Sequence, residues 1–350
     1  MLLSKIRYWS YRLTTILRSI KTLYTLPPEK VNAFVDSYNV YNYDWENEEE
    51  LISKFGNDYY KEVKKCLIDY YSVLNHLCAI GQVEKMYIPA AMDLSKSLTV
   101  NQKLFEKKMS QDLGINQGHK VLDIGCGRGR IASHIATLTN ANVTGMNIDT
   151  DQLESARQFV LGNGLANRCQ FKLADLNDLP LPFPDHSFDA VYEVGVFTYS
   201  RDLKKLFKEI HRVLKPGGKF AGLDWMRLPN YNPANPHHAD LMKRIKPLVG
   251  AIGTPSVEEF GGKLKDAGFN LLVDQNASID GLEAPLIENA DQFFSRVSKG
   301  VDFLVRCKIL PAHFKALFDR LTQDGEAFVE ADRLRLVTSS HYVVAQKVDS

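Results

Sequence analysis

The stretch VLDIGCGRGRIASHIATLTNANVTGMNID, residues 121–149, constrains the fold more than any other part of the chain. An apolar run of strand length stops at three alternating glycines, Gly125, Gly127 and Gly129. A helical pattern follows, then a second strand-like run that ends at Asn147. Strand, glycine turn, helix, strand is the order of a nucleotide-cofactor site. Glycine permits unusual φ values there and keeps a Cβ out of the ligand's way. Dinucleotide sites of this form carry an acid at the end of the second strand and a third glycine where this chain has Arg130. Neither is present, so the cofactor is of another kind.

The alternation continues. Apolar runs predict strands at 120–124, 142–147, 169–173, 188–194, 219–225, 269–275 and 341–347, with helices centred near 130–138, 151–163, 202–214 and 257–267. Strands alternating with helices across short turns predict an α/β fold, a doubly wound, mostly parallel, seven-stranded sheet. The final run HYVVAQK follows a long helical stretch and is expected as an antiparallel edge strand. Residues 226–256 and 276–338 break the pattern and are expected to cap the ligand-binding edge of the sheet. Four segments result: a basic amphipathic segment 1–26, a helical N-terminal region and partial cap 27–117, the cofactor-binding core 118–225, and a C-terminal region 226–350 that completes sheet and cap.

A net charge of +1 gives no reason to expect nucleic acid as a partner. The five cysteines, Cys66, Cys78, Cys126, Cys169 and Cys307, form no CxxC pair, which points to a reducing, cytoplasmic setting and away from zinc or a disulfide framework. No apolar run is long enough to span a bilayer. Before its first acid, Glu29, the chain carries Lys5, Arg7, Arg12, Arg18 and Lys21, while Leu13, Ile16, Leu17, Ile20 and Tyr24 follow helical spacing. Such a helix can lie on a membrane surface such as the endoplasmic reticulum or a lipid droplet, dock on the fold, or act as a targeting segment. Composition does not fix the oligomeric state.

The order of motifs after the glycine turn narrows the reading. Asp123 precedes the turn, LADLND supplies Asp175 and Leu176, and HRVLKPGGKFAGLDW gives a helix, a Pro-Gly-Gly turn and a fifth strand. Over residues 100–225 this resembles the class I S-adenosylmethionine (SAM)-dependent methyltransferases, which have a Rossmann-like fold. The resemblance implies that Asp123, Gly125, Gly127 and Gly129 meet the cofactor, that Asp175 and Leu176 meet its adenine, and that Asn147 and Gln152 hold its ribose. An amide donates and accepts, so Asn147 suits a diol without a buried charge. The alternative is that Asn147 only caps the next helix.

The segments NIDTDQLESAR, LDWMRLPNYNPANPHHADLMKRI, KLKDAGFNLL and HYVVAQK extend the likeness to residues 60–347 and are similar to the sterol and triterpenoid C-methyltransferases. That family implies a sterol or isoprenoid lipid substrate. Two positions depart from it. Its Tyr-Glu-Trp-Gly-Trp-Gly box falls on Cys78-Ala79-Ile80-Gly81-Gln82-Val83, and a second family acid falls on Gly195. Aromatic faces and carboxylates stabilise the carbocation formed when a side-chain alkene is methylated. Glu193, Tyr199, Asp224, Trp225, Tyr231, His237 and His238 remain as candidates, with Asp224, Glu193, Tyr199 and His237 foremost. These types suit proton removal beside a carbonyl and methylation of an enolate, as on a sterol ring. O- or N-methylation of a small metabolite, and a catalytically silent SAM- or lipid-binding protein, stay open.

Overall fold

The structure is a computed structural model that describes residues 2–43, 45, 47–80, 85–321 and 324–348, with side chains from residue 13 onward, Leu321 excepted. The chain divides into two compact units, Met1–Met86 with Asn289–Gly325, and Tyr87–Glu288 with Glu326–Ser350. The first unit is helical. It contains α1 (Leu2–Tyr24), α2 (Pro28–Ser37), α3 (Glu48–Phe55) and α4 (Tyr59–Ile80). Phe34, Tyr38 and Tyr70 form its aromatic centre, Phe34 and Tyr70 stacked at 6.0 Å and Tyr38 edge-on to both.

The second unit opens with α5 (Leu98–Asp112) and then alternates: β1 (Lys120–Ile124), α6 (Arg130–Thr139), β2 (Asn142–Asn147), α7 (Thr150–Gly162), β3 (Cys169–Leu173), β4 (Phe188–Val194), α8 (Leu203–Val213) and β5 (Leu214–Arg227). After it come α9 (Pro236–Val249), α10 (Val257–Asp266), β6 (Phe269–Asn276), α11 (Ala284–Arg306), α12 (His313–Leu321), α13 (Gly325–Arg333) and β7 (Val337–Lys347). Of these, α12 and most of α11 belong to the first unit. The seven strands form one sheet in the order β3-β2-β1-β4-β5-β7-β6. The first five are parallel, whereas β7 runs antiparallel to both its neighbours.

Both faces of the sheet are covered. Leu122, Ile124, Val191, Phe220 and Val343 point into one core with Phe207 and Phe260. Val121, Ala190, Tyr192, Ala221 and Tyr342 point into the other with Phe105 and Ile135. The period of two between these sets is the pleat itself, and burial on both faces explains why the strands read as continuous apolar runs. Emptying either core is costly: a buried Phe-to-Ala change removes about 3–5 kcal/mol.

The expected fold class holds, and one strand moves. The sequence predicts the terminal run as an edge strand, but β7 lies inside the sheet between β5 and β6, and β6 is the edge. The reason is visible in burial. Tyr342, Val343, Val344 and Ala345 are all buried in succession, as an interior strand requires, whereas β6 alternates between covered and exposed positions.

Candidate active site

The carboxyl ends of β1, β2, β4 and β5 gather the residues singled out above. Gly125, Gly127 and Gly129 all have positive φ, at 72°, 51° and 68°. Their surroundings differ. A Cβ on Gly125 would lie 2.5 Å from Val196 Cγ2, and one on Gly129 would lie 2.7 Å from Phe171 and 2.8 Å from Ala156. Gly129 therefore serves the packing of α6 and α7 on the sheet. Gly127 faces the end of β2, where a Cβ would stand 3.2 Å from Gln152 Oε1.

Asn147 Nδ2 donates to that same oxygen at 3.0 Å, and Asn147 Oδ1 accepts from the Ile148 amide. The cap of α7 is Asp149, whose carboxyl accepts from the amides of Asp151 and Gln152. Asn147 is thus not the helix cap. It stands with Gln152 across from the glycine turn, a pair of amides beside a backbone stripped of Cβ atoms. Such a cradle fits a nucleoside with a diol. Asp175 is half-buried at the end of β3, its carboxyl accepting from the Asn177 amide, and Leu176 beside it is buried.

Asp123 pairs in register with Tyr192 of β4, and the Tyr192 hydroxyl donates to Asp123 Oδ2 at 2.8 Å. Burial pushes the Asp123 carboxyl up to about 8, against the opposing effect of that hydrogen bond. A bound cation, such as an ammonium or sulfonium, would offset the burial cost and draw the proton off.

The second cluster is a carboxyl pair. Glu193 ends β4 and Asp224 ends the inner part of β5, and both are fully buried. Glu193 lies over Gly222, its partner in register; a Cβ there would come within 2.6 Å of Glu193 Oε1. Glu193 Oε2 accepts from the Val196 amide. Asp224 accepts from the amides of Phe197 and Trp225 at 2.8 and 2.7 Å. Burial and the neighbouring Asp224 charge hold Glu193 far above the usual carboxylate range. Burial raises Asp224 only to about 6, because the backbone donors favour its charge. Burial thus favours the protonated form of Glu193, while the amides aimed at Asp224 favour its charge. The pair has a donor and an acceptor side by side.

The remaining candidates divide. Tyr199 is buried in the short turn Phe197–Tyr199, its hydroxyl donating to the Gly250 carbonyl. Thr198 fastens the same turn to the Gly253 carbonyl at 2.8 Å. His237 stands apart at the start of α9, its side chain 55% exposed and Nε2 2.9 Å from Glu330 Oε1. His238 Nδ1 accepts from the Asn232 amide and its ring stacks on Tyr231. The structure does not bring the two histidines to the carboxyl pair. Trp225 is buried against Phe328 in an apolar cluster with Leu241, Met242 and Ile245. Among the described residues no cluster of His, Cys, Asp and Glu could hold a metal ion.

Residues 122–222 match the methyltransferase domain family. The sterol 24-C-methyltransferase of Gibberella zeae is 30% identical over 292 residues, covering 78% of this chain and 73% of that protein. The cycloartenol-C-24-methyltransferase of Arabidopsis thaliana is 30% identical over 264 residues, covering 72% and 78%. The chain belongs to the sterol C-methyltransferase family. Solved structures share its fold: a geranyl diphosphate C-methyltransferase from Streptomyces coelicolor, with a TM-score of 0.58 at 18% identity over 77% of this chain and 91% of that one, and a cyclopropane synthase from Mycobacterium tuberculosis, with 0.58 at 16% over 75% and 88%. Like the family, it is a SAM-dependent methyltransferase.

Two places where the family carries acids look different here. Gly195 has φ +68°, and a Cβ on it would meet nothing within 4 Å. Space for a side chain exists, yet the chain leaves it bare and places its acid at Glu193. Of the box positions, Cys78, Ala79 and Ile80 end α4, while Gly81, Gln82 and Val83 lie outside the described residues. Sequence reading missed Tyr192, Gly222 and Val196. The glycine within β5 was the available signal, since a strand glycine marks a close approach. Tyr192 gave none, because its partner Asp123 is sixty-nine residues away, and Val196 gave none, because the glycine it packs against, Gly125, is distant in sequence.

Proposed function

We propose that this protein moves the methyl group of SAM to a carbon of a sterol or related isoprenoid lipid, and that this carbon lies on the ring system beside a ketone. The carbon-methyl class and the lipid follow from relatives that methylate sterols at carbon 24. The ring position rests on one observation, the buried carboxyl pair in which Glu193 is held well above the usual carboxylate range beside Asp224. Glycine and alanine stand where the family puts acids for a cation.

SAM, when bound, supplies an electrophilic methyl. Asn147 and Gln152 would hold its ribose, Asp175 and Leu176 its adenine, and Asp123 with the turn at Gly127 its methionine half. Asp224 takes the proton from the carbon beside the ketone, leaving its electron pair in an enolate. Glu193 donates a hydrogen bond that holds the acceptor carboxylate, and burial excludes water from the exchange. An enolate carbon held there would be the nucleophile for that methyl, and the proton would stay on the carboxyl pair. Tyr199 and Thr198 act at a distance by fixing the turn that supplies the Phe197 amide. His237, exposed and paired with Glu330, has a surface role in this reading. We also place the protein at a cytoplasmic lipid surface, such as the endoplasmic reticulum or a lipid droplet, where its substrate dissolves.

The test is labelled methyl transfer to matched lipids, followed by locating the new methyl. Sterols with a 3-keto group should outperform those whose only distinguishing group is a side-chain alkene. Side-chain methylation with 3-keto sterols inert would sink the ring assignment. Production of S-adenosylhomocysteine only when lipid is present separates the enzyme from a silent binder.

A further inference from the structure

Helix α1 turns part of its apolar surface away from the protein. Leu13, Leu17, Ile20 and Tyr24 are 60%, 58%, 36% and 50% exposed. Their spacing places them on one stripe of the helix. The edge packed on α4 carries Ser19 and Leu23, at 3% and 0%, with Ser19 Oγ 3.2 Å from His76 Nδ1. A helix docked only for stability covers its apolar stripe and leaves its hydroxyls in water. Here a serine is covered while four large apolar side chains are not.

Charge says what covers them. At 100° per residue, Lys21 and then Arg18 follow the stripe on the side away from α4, and both are exposed. The helix sequence contains five basic residues and no acid. A second copy of the same stripe would bring like charges together, whereas an anionic bilayer complements them. So many cations also keep the helix out of the hydrocarbon core and along the surface.

We propose that α1 is a membrane-surface helix that lays Leu13, Leu17, Ile20 and Tyr24 into the headgroup–acyl boundary of an anionic bilayer, with Arg18 and Lys21 on the lipid phosphates. This locates the surface contact suggested above and rests on that reading for its biological sense; its physical basis is the exposed stripe and its charge. The experiment is sedimentation of the full chain with vesicles of phosphatidylcholine containing phosphatidylserine, beside vesicles of phosphatidylcholine alone. The wild type should bind the anionic vesicles. Replacing both Leu13 and Leu17 by Ser should weaken that binding roughly a hundredfold, since each leucine contributes its burial on insertion. Replacing Arg18 and Lys21 by Gln should weaken it roughly thirtyfold, equivalent to about 1 kcal/mol for each cation. Both variants should keep wild-type SAM affinity and wild-type methyl transfer to detergent-dispersed sterol. No vesicle binding by the wild type, or binding unchanged in the Leu13/Leu17 variant, overturns the proposal. So does a wild-type dimer without vesicle binding that the same variant makes monomeric, which would assign the stripe to a second copy. Failure of the wild type to methylate dispersed sterol instead counts against the substrate reading and leaves the vesicle result standing.

Discussion

Two buried carboxyl pairs sit in the sheet-bearing unit, and their surroundings set them to different tasks. Glu193 and Asp224 lie toward the carboxyl ends of adjacent parallel strands, and Glu193 Oε1 faces no hydroxyl or amide donor. Glu283 immediately precedes α11, and Asp332 lies in the last turn of α13. Glu283 is saturated: Thr338 Oγ1 donates to Oε1 at 2.6 Å, and the Ser339 amide and hydroxyl donate to Oε2. Asp332 accepts from the amides of Glu283 and Ala284, and burial beside the Glu283 charge raises it to about 7. Burial raises an acid's pKa in both pairs. The donors single out Glu283 alone: Asp332 Oδ1, like Glu193 Oε1, faces no hydroxyl or amide donor, and Asp224, like Asp332, accepts from two amides. A carboxyl ringed by hydroxyls and amides, as Glu283 is, ties backbone segments together, whereas Glu193 has only the Val196 amide and the neighbouring Asp224 carboxyl.

The sharpest way to break this contrast is to neutralise one acid in each pair. Asp224→Asn should lower kcat by roughly 10²–10⁴-fold, the usual scale for losing a general base. Asp332→Asn should leave kcat near the wild-type value. Both are measured by labelled methyl transfer with SAM affinity as the control; equal losses in the two variants would erase the distinction.

Stability should rank the pairs the other way. Asp332→Ala removes the acceptor for two amides at the start of α11 and should cost about 2–3 kcal/mol in denaturant unfolding. A variant as stable as the wild type would mean that α11 starts without that support.

Titration refines the comparison. Asp224 and Asp332 have folded values above the ordinary carboxylate range, so the folded protein keeps protons that the unfolded chain releases. Their contribution is full below about pH 4 and is lost as pH rises through 6 for Asp224 and 7 for Asp332. Asp123, raised to about 8, extends the fall further. Asp332→Asn should flatten the decline between pH 4 and 7 while leaving the part near pH 8. Unfolding curves across this range decide it, and an unchanged slope would show that Asp332 ionises as an ordinary acid.

The smallest effect is expected from Glu193→Gln. A protonated glutamate and a glutamine both present a neutral donor, so stability should change by less than about 1 kcal/mol. A large loss, read by thermal unfolding, would mean Glu193 is charged in the native protein.

Much of this architecture was legible beforehand. The strand starts at Lys120, Asn142, Cys169, Phe188 and Phe269 agree with those read from apolar runs, because hydrophobic periodicity is a local signal. The glycine turn was legible for the same reason: steric freedom at Gly125, Gly127 and Gly129 belongs to those residues alone. Other features were not. That β7 lies inside the sheet, that Gly129 serves packing, and that His237 faces solvent all depend on elements far away in the chain.

The sequence by itself determined the order of strands and helices, the turn that admits the cofactor, and the family likeness from which a methyl donor follows. Local sterics and period are enough for that. Only the tertiary structure decided which acids share a buried site. Glu193 meets Asp224, and Glu283 meets Asp332 forty-nine residues away, through folding rather than spacing. It also decided which edge of α1 is covered, leaving Leu13 and Leu17 exposed. Burial and proton affinity are properties of a surrounding, and a residue acquires its surroundings only when distant segments pack against it.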